Sequence, residues 1–239
     1  MNKECLSIAD MMSGLMMVFL FIAVVFMLDV QHSKAIVEQQ KNALERQNNA
    51  MKEIVLIDKI SRQQLHTELL QEFASDLTLW NADILTDNTV RFNAPKVLFK
   101  SGESTPRPRF KEILDSFFPR YIRILQQYQD DIKAIRIEGH TSSDWLNTDD
   151  IAIRYLNNVE LSQQRALSTL KYCYLLSSIE GTQQEWLRQV LRANGLSFAN
   201  RIFNDDNSEN ADKSRRVEFK VVTKAEEKLH QILERSKKL

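Results

Sequence analysis

Asp10 is the residue whose charge stands in the least hospitable place. It precedes Met11–Leu28, MMSGLMMVFLFIAVVFML, eighteen residues with no charge and no proline. As a helix this run covers about 27 Å, close to the roughly 30 Å hydrocarbon core of a bilayer. Extending it back to Leu6 brings Asp10 into the membrane. A carboxylate there costs about 2.5–3.5 kcal/mol on insertion scales, so it faces a partner or a water-filled path and has a function. Ser7, Ser13 and Gly14 lie at i−3, i+3 and i+4 and share its face, while the remaining faces are Met, Phe, Leu, Ile and Val. A single polar, small-residue stripe on an otherwise lipid-like helix meets protein. The chemistry that fits is uptake and release of a cation by Asp10, with Ser7 and Ser13 supporting the ion path. The alternative is a helix-capping aspartate at the headgroup level.

The other concentration of reactive types is His140-Thr141-Ser142-Ser143-Asp144. It has no nucleophile-elbow context, so a hydrolase is not expected and the chain reads as a non-enzyme. Five glycines leave no phosphate-binding loop, and neither G-x-x-x-x-G-K-[ST] nor G-x-G-x-x-G occurs. Two cysteines and four scattered histidines offer no zinc spacing, so no metal and no cofactor are expected. Lys+Arg and Asp+Glu are both 32, which argues against nucleic acid as a partner, because a phosphate-binding surface needs a basic excess.

These residues need elements to position them. Five of the seven methionines fall between Met11 and Met27, inside the apolar run. A cleaved signal peptide fits poorly, since Glu4 offsets Lys3 and no small-x-small site follows before Asp29. The expected unit is therefore 1–30, a short cytoplasmic tail and a retained transmembrane helix. Residues 31–80 are polar and helix-favouring. Val37, Leu44 and Met51 repeat at seven with Gln40 and Gln47 between them, which predicts a helical linker and at most a weak dimeric coiled coil. Residues 81–224 form the second domain. Short strands are expected at Thr89–Phe92, Lys96–Phe99, Ile132–His140 and Val217–Val222. Helices are expected at Phe110–Tyr128, Val159–Leu176 and Glu185–Arg192. Strands alternating with helices predict an α/β fold, an α+β sandwich with its sheet covered mainly on one side. Residues 225–239 are a charged helical tail. Cys5 and Cys173 would lie on opposite sides of the membrane and cannot pair. Cys173, among Leu170, Tyr174 and Leu175, reads as a buried free thiol.

Two separated segments resemble one known architecture. Ser7–Met16, S-I-A-D-M-M-S-G-L-M, looks like the transmembrane segment of flagellar motor B subunits, with Asp10 on that family's ion-carrying aspartate. I-E-G-H-T (Ile137–Thr141), N-V-E-L-S-Q-Q-R-A (Asn158–Ala166), Gly195 and S-R-R-V-E (Ser214–Glu218) resemble the OmpA-like peptidoglycan-binding domain. The resemblance implies a B-type stator subunit in the bacterial inner membrane: single-pass, N-terminus cytoplasmic, C-terminal domain periplasmic. It implies a homodimer inside a pentameric ring of polytopic A-type (ZorA/MotA-like) subunits, with a cation, most often a proton, passing by Asp10. It also implies a peptidoglycan site at Thr141, Ser142, Asp144, Asn158, Leu161 and Arg165.

The sequence departs from the flagellar pattern in two places. The aspartate of G-H-T-D, which with the arginine of L-S-x-x-R-A clamps the amine and carboxylate of a diaminopimelate residue, is Ser142 here, so the amine lacks a partner unless Asp144, two residues on, takes its place. The short stretch before the membrane segment, the Gly139–Trp145 run G-H-T-S-S-D-W and the insertion before Asn158 look closer to the ZorB subunits of Zorya anti-phage systems. A flagellar stator B subunit, or a passive membrane-tethered wall anchor without ion flow, remain the alternatives.

Overall fold

The structure is a computed structural model that describes residues 3–146 and 148–236, with side chains described over 11–146 and 148–234. The chain divides into two compact units. One takes the described residues through Glu53 and from His230 onward; the other is Ile54–Leu229.

Helix α1, Lys3–Phe73, is uninterrupted, as expected of a segment without proline and with one glycine, Gly14. It contains an 18-residue window of mean hydropathy 2.6 with no residue buried, long and apolar enough to cross a membrane. Met11, Phe19, Phe21 and Phe26 are all exposed there. Further along, in the stretch expected to be linker, Leu65, Leu69 and Phe73 are buried in the core of the second unit. Arg120 holds this end of α1. Its Nε donates to Glu72 Oε1 at 2.7 Å, its Nη1 to Asp76 Oδ2 at 2.8 Å, and its guanidinium lies 4.8 Å from the Phe73 ring centroid.

After α2 (Leu77–Trp80) come β1 (Ala82–Ile84), β2 (Val90–Phe92), α3 (Pro95–Leu98), α4 (Pro108–Gln126) and β3 (Ile132–Gly139). Then follow α5 (Ile151–Tyr174), α6 (Gly181–Val190), β4 (Leu191–Gly195), α7 (Ala211–Ser214), β5 (Val217–Thr223) and α8 (Ala225–Ser236). The sheet order is β1-β2-β5-β3-β4; β3 and β4 are parallel and the other neighbours antiparallel. The β3–α5–α6–β4 stretch is the crossover that a parallel pair requires. Period-two alternation gives the sheet two unlike faces. Phe92, Phe219, Ile135 and Ile137 are fully buried, whereas Arg91, Lys220 and Arg136 alternate with them and are half-buried. Phe117 of α4 centres the apolar side, with ring centroids 4.9 Å from Tyr121, 5.1 Å from Phe219 and 5.2 Å from both Phe73 and Phe92.

Four local expectations change. Lys96–Phe99 is not a strand: Pro95 starts a helical turn, and Leu98 buries itself. The expected helix Glu185–Arg192 ends at Val190, and Leu191–Gly195 pairs with Ile135–Gly139 as β4. Helix α5 starts at Ile151, where the Asp150 carboxylate accepts from the amides of Ala152 and Ile153, rather than at Val159. Strand β1, unanticipated, closes a hairpin on β2. Cys173 is buried and free, and burial pushes its thiol well above the usual value.

Candidate ligand-binding cleft

The site grows from two close approaches of α5 to the sheet. A Cβ on Gly139 would lie 2.3 Å from the Ser162 carbonyl oxygen, and one on Gly195 would lie 2.3 Å from the Gln163 nitrogen. Only glycine lets the helix backbone come this near to the ends of β3 and β4. The contact is then polar and specific. Ser197 N donates to Ser162 Oγ at 3.0 Å, Gly195 N to Gln163 Oε1 at 2.7 Å, and Gln163 Nε2 to the Ala193 carbonyl at 3.3 Å. Ser162, Gln163 and Ala166 of the N-V-E-L-S-Q-Q-R-A segment are therefore docking residues, and they fix the part of the helix that carries Arg165.

Arg165 reaches into a cleft of about 930 Å³ at the carboxyl end of β3. Thr141, Ser142, Asp144, Asn158, Leu161 and Arg165 all line it, so all six residues expected at this site come together. Their surroundings differ. The Arg165 guanidinium lies 5.0 Å from the Phe99 ring centroid; its Nε donates to the Glu103 carbonyl at 2.9 Å and its Nη2 to the Lys100 carbonyl at 3.1 Å. Burial, and secondarily the charge of Arg215, pull its pKa down to about 10. Asn158 is buried, and its amide is spent on the chain itself, donating to the carbonyls of Arg154 at 3.0 Å and Asp144 at 3.3 Å. Ser142 is buried at the cleft wall, whereas Asp144 is exposed.

The cleft also holds residues that sequence reasoning did not assign to it. Arg215 turns inward, with Nη1 3.4 Å from Ser142 Oγ and 3.9 Å from Asp144 Oδ2. Lys96, Lys100 and Arg107 enter from the α3–α4 side, together with Phe99; Trp145 and Leu146 enter from the loop after β3. The basic residues flanking Gly102 were the available signal, but spacing alone did not join them to Arg165.

Beneath the cleft lies a buried charge cluster. His140 Nε2 is 3.4 Å from Glu218 Oε2 and 3.9 Å from Glu138 Oε2. Arg91 Nε and Arg216 Nε both donate to Glu218 Oε1 at 2.7 Å. Burial alone would raise the Glu218 pKa; His140 and Arg216 outweigh it and hold the carboxyl well below the usual carboxylate range. Glu138, His140 and Glu218 have metal-ligand types at metal-ligand distances. Two guanidiniums on one Glu218 oxygen already supply the positive charge, so the cluster braces β3 against β5.

The ion-path expectation stands differently. The side chains of Ser7 and Asp10 lie outside the described residues, and Ser13 is exposed on α1.

No protein-family profile matches the chain. The chain is 40% identical over 234 residues to Zorya protein ZorB of Escherichia coli (strain Crooks), covering 98% of this chain and 93% of that protein. Among solved structures, a MotB-like protein from Desulfovibrio vulgaris is similar with a TM-score of 0.50 at 21% identity, over 72% of this chain and 98% of that one. The cell wall anchor of the T6SS from Pseudomonas aeruginosa is similar with a TM-score of 0.46 at 21% identity, over 65% of this chain and 96% of that one. The likeness to the MotB-like protein bears out the expected α+β, OmpA-like fold. With identity at this level across nearly its whole length, the chain belongs to the ZorB family.

Proposed function

We propose that this chain is the B-type subunit of an ion-driven rotary motor of the anti-phage Zorya type in the bacterial inner membrane. In this reading two copies sit inside a pentameric ring of polytopic A-type subunits. Residues 1–30 cross the membrane once with the N-terminus inside, 31–80 link, and 81–224 bind peptidoglycan in the periplasm. Asp10 takes up a cation, in the first instance a proton, from the periplasmic side and releases it inward, with Ser7 and Ser13 along the path. Each neutralisation removes the penalty of a carboxylate in hydrocarbon, and its return restores it, so ion passage is tied to a change in what α1 prefers to face. Torque between a ring and a central dimer does work only if one is held, and the cleft supplies the hold. Arg165 offers a bidentate guanidinium to a stem-peptide carboxylate.

The observation that carries this reading is similarity to a ZorB protein along 98% of the chain, spanning both the apolar segment and the cleft. The test is a pair of substitutions read separately. Asp10→Asn should abolish protection of cells from phage while leaving membrane insertion and sedimentation with purified sacculi unchanged. Arg165→Ala should lose sedimentation with sacculi, a weakening of more than about tenfold for a charge-assisted pair, and should lose protection as well. Full protection by Asp10→Asn would sink the ion-driven reading and leave a passive wall anchor.

A further inference from the structure

The charge of the cleft is one-sided. Lys96, Lys100, Arg107, Arg165, Arg215 and Arg216 line it, and Asp144 is the only acidic lining residue among those described. That carboxylate is turned mostly to solvent, its side chain 70% exposed, and its ion-pair distance is to Arg215, 3.9 Å away. Nearby acids are committed elsewhere: Glu103 to Lys100 at 3.5 Å, Asp212 to Arg215, and Glu218 to Arg91 and Arg216. The Arg165 side chain, by contrast, meets backbone carbonyls and an aromatic ring but no carboxylate. A guanidinium buried to this degree without a counter-charge is costly, and an incoming anion recovers that cost. On the cleft wall Ser142 presents only a hydroxyl, which accepts from Arg215 at 3.4 Å. The cleft therefore offers cations to anions and almost nothing to a cation.

We propose that the cleft grips the stem peptide by its carboxylates, through Arg165 and Arg215, and is indifferent to whether the diaminopimelate side-chain amine is free or acylated in a cross-link. The inference rests on the peptidoglycan reading above and narrows it to a ligand class. A receptor that needs the free ammonium finds fewer sites as a wall becomes more cross-linked. One that reads only carboxylates finds them in cross-linked and open stems alike, so its hold does not weaken where the wall is strongest.

The test uses the full-length chain in detergent micelles, titrated calorimetrically with three muropeptides. The first is a disaccharide tetrapeptide with free diaminopimelate. The second carries an acetyl group on the diaminopimelate side-chain amine, and the third has the diaminopimelate carboxylate converted to an amide. The free and acetylated peptides should bind within about twofold of each other, and the amidated peptide more than about tenfold more weakly, as expected for loss of a charge-assisted pair. Arg215→Gln should weaken the free and acetylated peptides equally. Ser142→Asp should create a preference of about fivefold or more for the free amine. A wild-type loss of more than about threefold on acetylation overturns the inference while leaving peptidoglycan binding intact. Binding of none of the three overturns the peptidoglycan reading, and the inference with it.

Discussion

Glu218 shows how a single buried carboxylate serves the site above it. It takes Arg91 and Arg216 on one oxygen and faces His140 with the other, joining β2, β3 and β5 where the cleft begins. A carboxyl held below its ordinary range adds stability above its unfolded pKa, about 4.3, and loses that contribution as pH falls toward the folded value. Glu218→Gln keeps the shape and removes the charge, leaving a buried Arg216 short of its partner. The substitution should cost about 3 kcal/mol at pH 7, read as a lower urea midpoint of the solubilised chain. The gap between variant and parent should hold from pH 7 to about pH 5 and narrow below about pH 4. A gap that stays constant through acid would mean that the carboxylate is not the charged partner the geometry makes it.

Helix α5 is the element on which the cleft depends, because its docking on β3 and β4 sets where Arg165 points. Gly139→Ala would drive a Cβ into the Ser162 carbonyl, which is backbone and cannot swing aside, so the helix itself must move. The expected cost is about 3 kcal/mol, with loss of sacculus binding even where the domain still folds. Gly181→Ala is the control. A Cβ there meets nothing within 4 Å at the start of α6, and the substitution should be neutral or stabilise by about 0.5 kcal/mol in the same unfolding assay. Equal damage from both would remove the close approach as the reason for Gly139. This element also shows what is legible in the sequence. I-E-G-H-T and N-V-E-L-S-Q-Q-R-A can be read because close backbone packing restricts residue type strongly at both partners. The first two turns of α5 cannot, since Ile151, Ile153 and Leu156 are exposed and make no inward stripe. Strand β4, five half-buried or exposed residues beginning directly after Val190, has no alternation to separate it from helix. Arg215 escaped assignment because its direction is set by the chain turn after α7 and by contact with Ser142, 73 residues earlier in the chain.

At the scale of the whole chain the question is on which side of the membrane each part works, and thiol labelling answers it in a single experiment. Cys173 lies in the apolar core of the second unit, fully buried, with its thiol pushed well above its usual pKa by burial. It should therefore resist a polar maleimide in the native protein whichever compartment it occupies, since the reagent needs both access and thiolate. Cys5 precedes the apolar run and in the proposed topology faces the cytoplasm. The parent chain should then stay unlabelled in intact spheroplasts and acquire label on Cys5 only after permeabilisation. Leu175, next to Tyr174 at the end of α5, is 75% exposed and lies outside the cleft, so Leu175→Cys adds a reporter without touching the ligand site. That variant should label before permeabilisation, when the parent does not, and urea should expose Cys173 in both. Labelling of Leu175→Cys only after permeabilisation would place the domain on the cytoplasmic side. No peptidoglycan lies there, so that result would remove the anchor and the motor reading together.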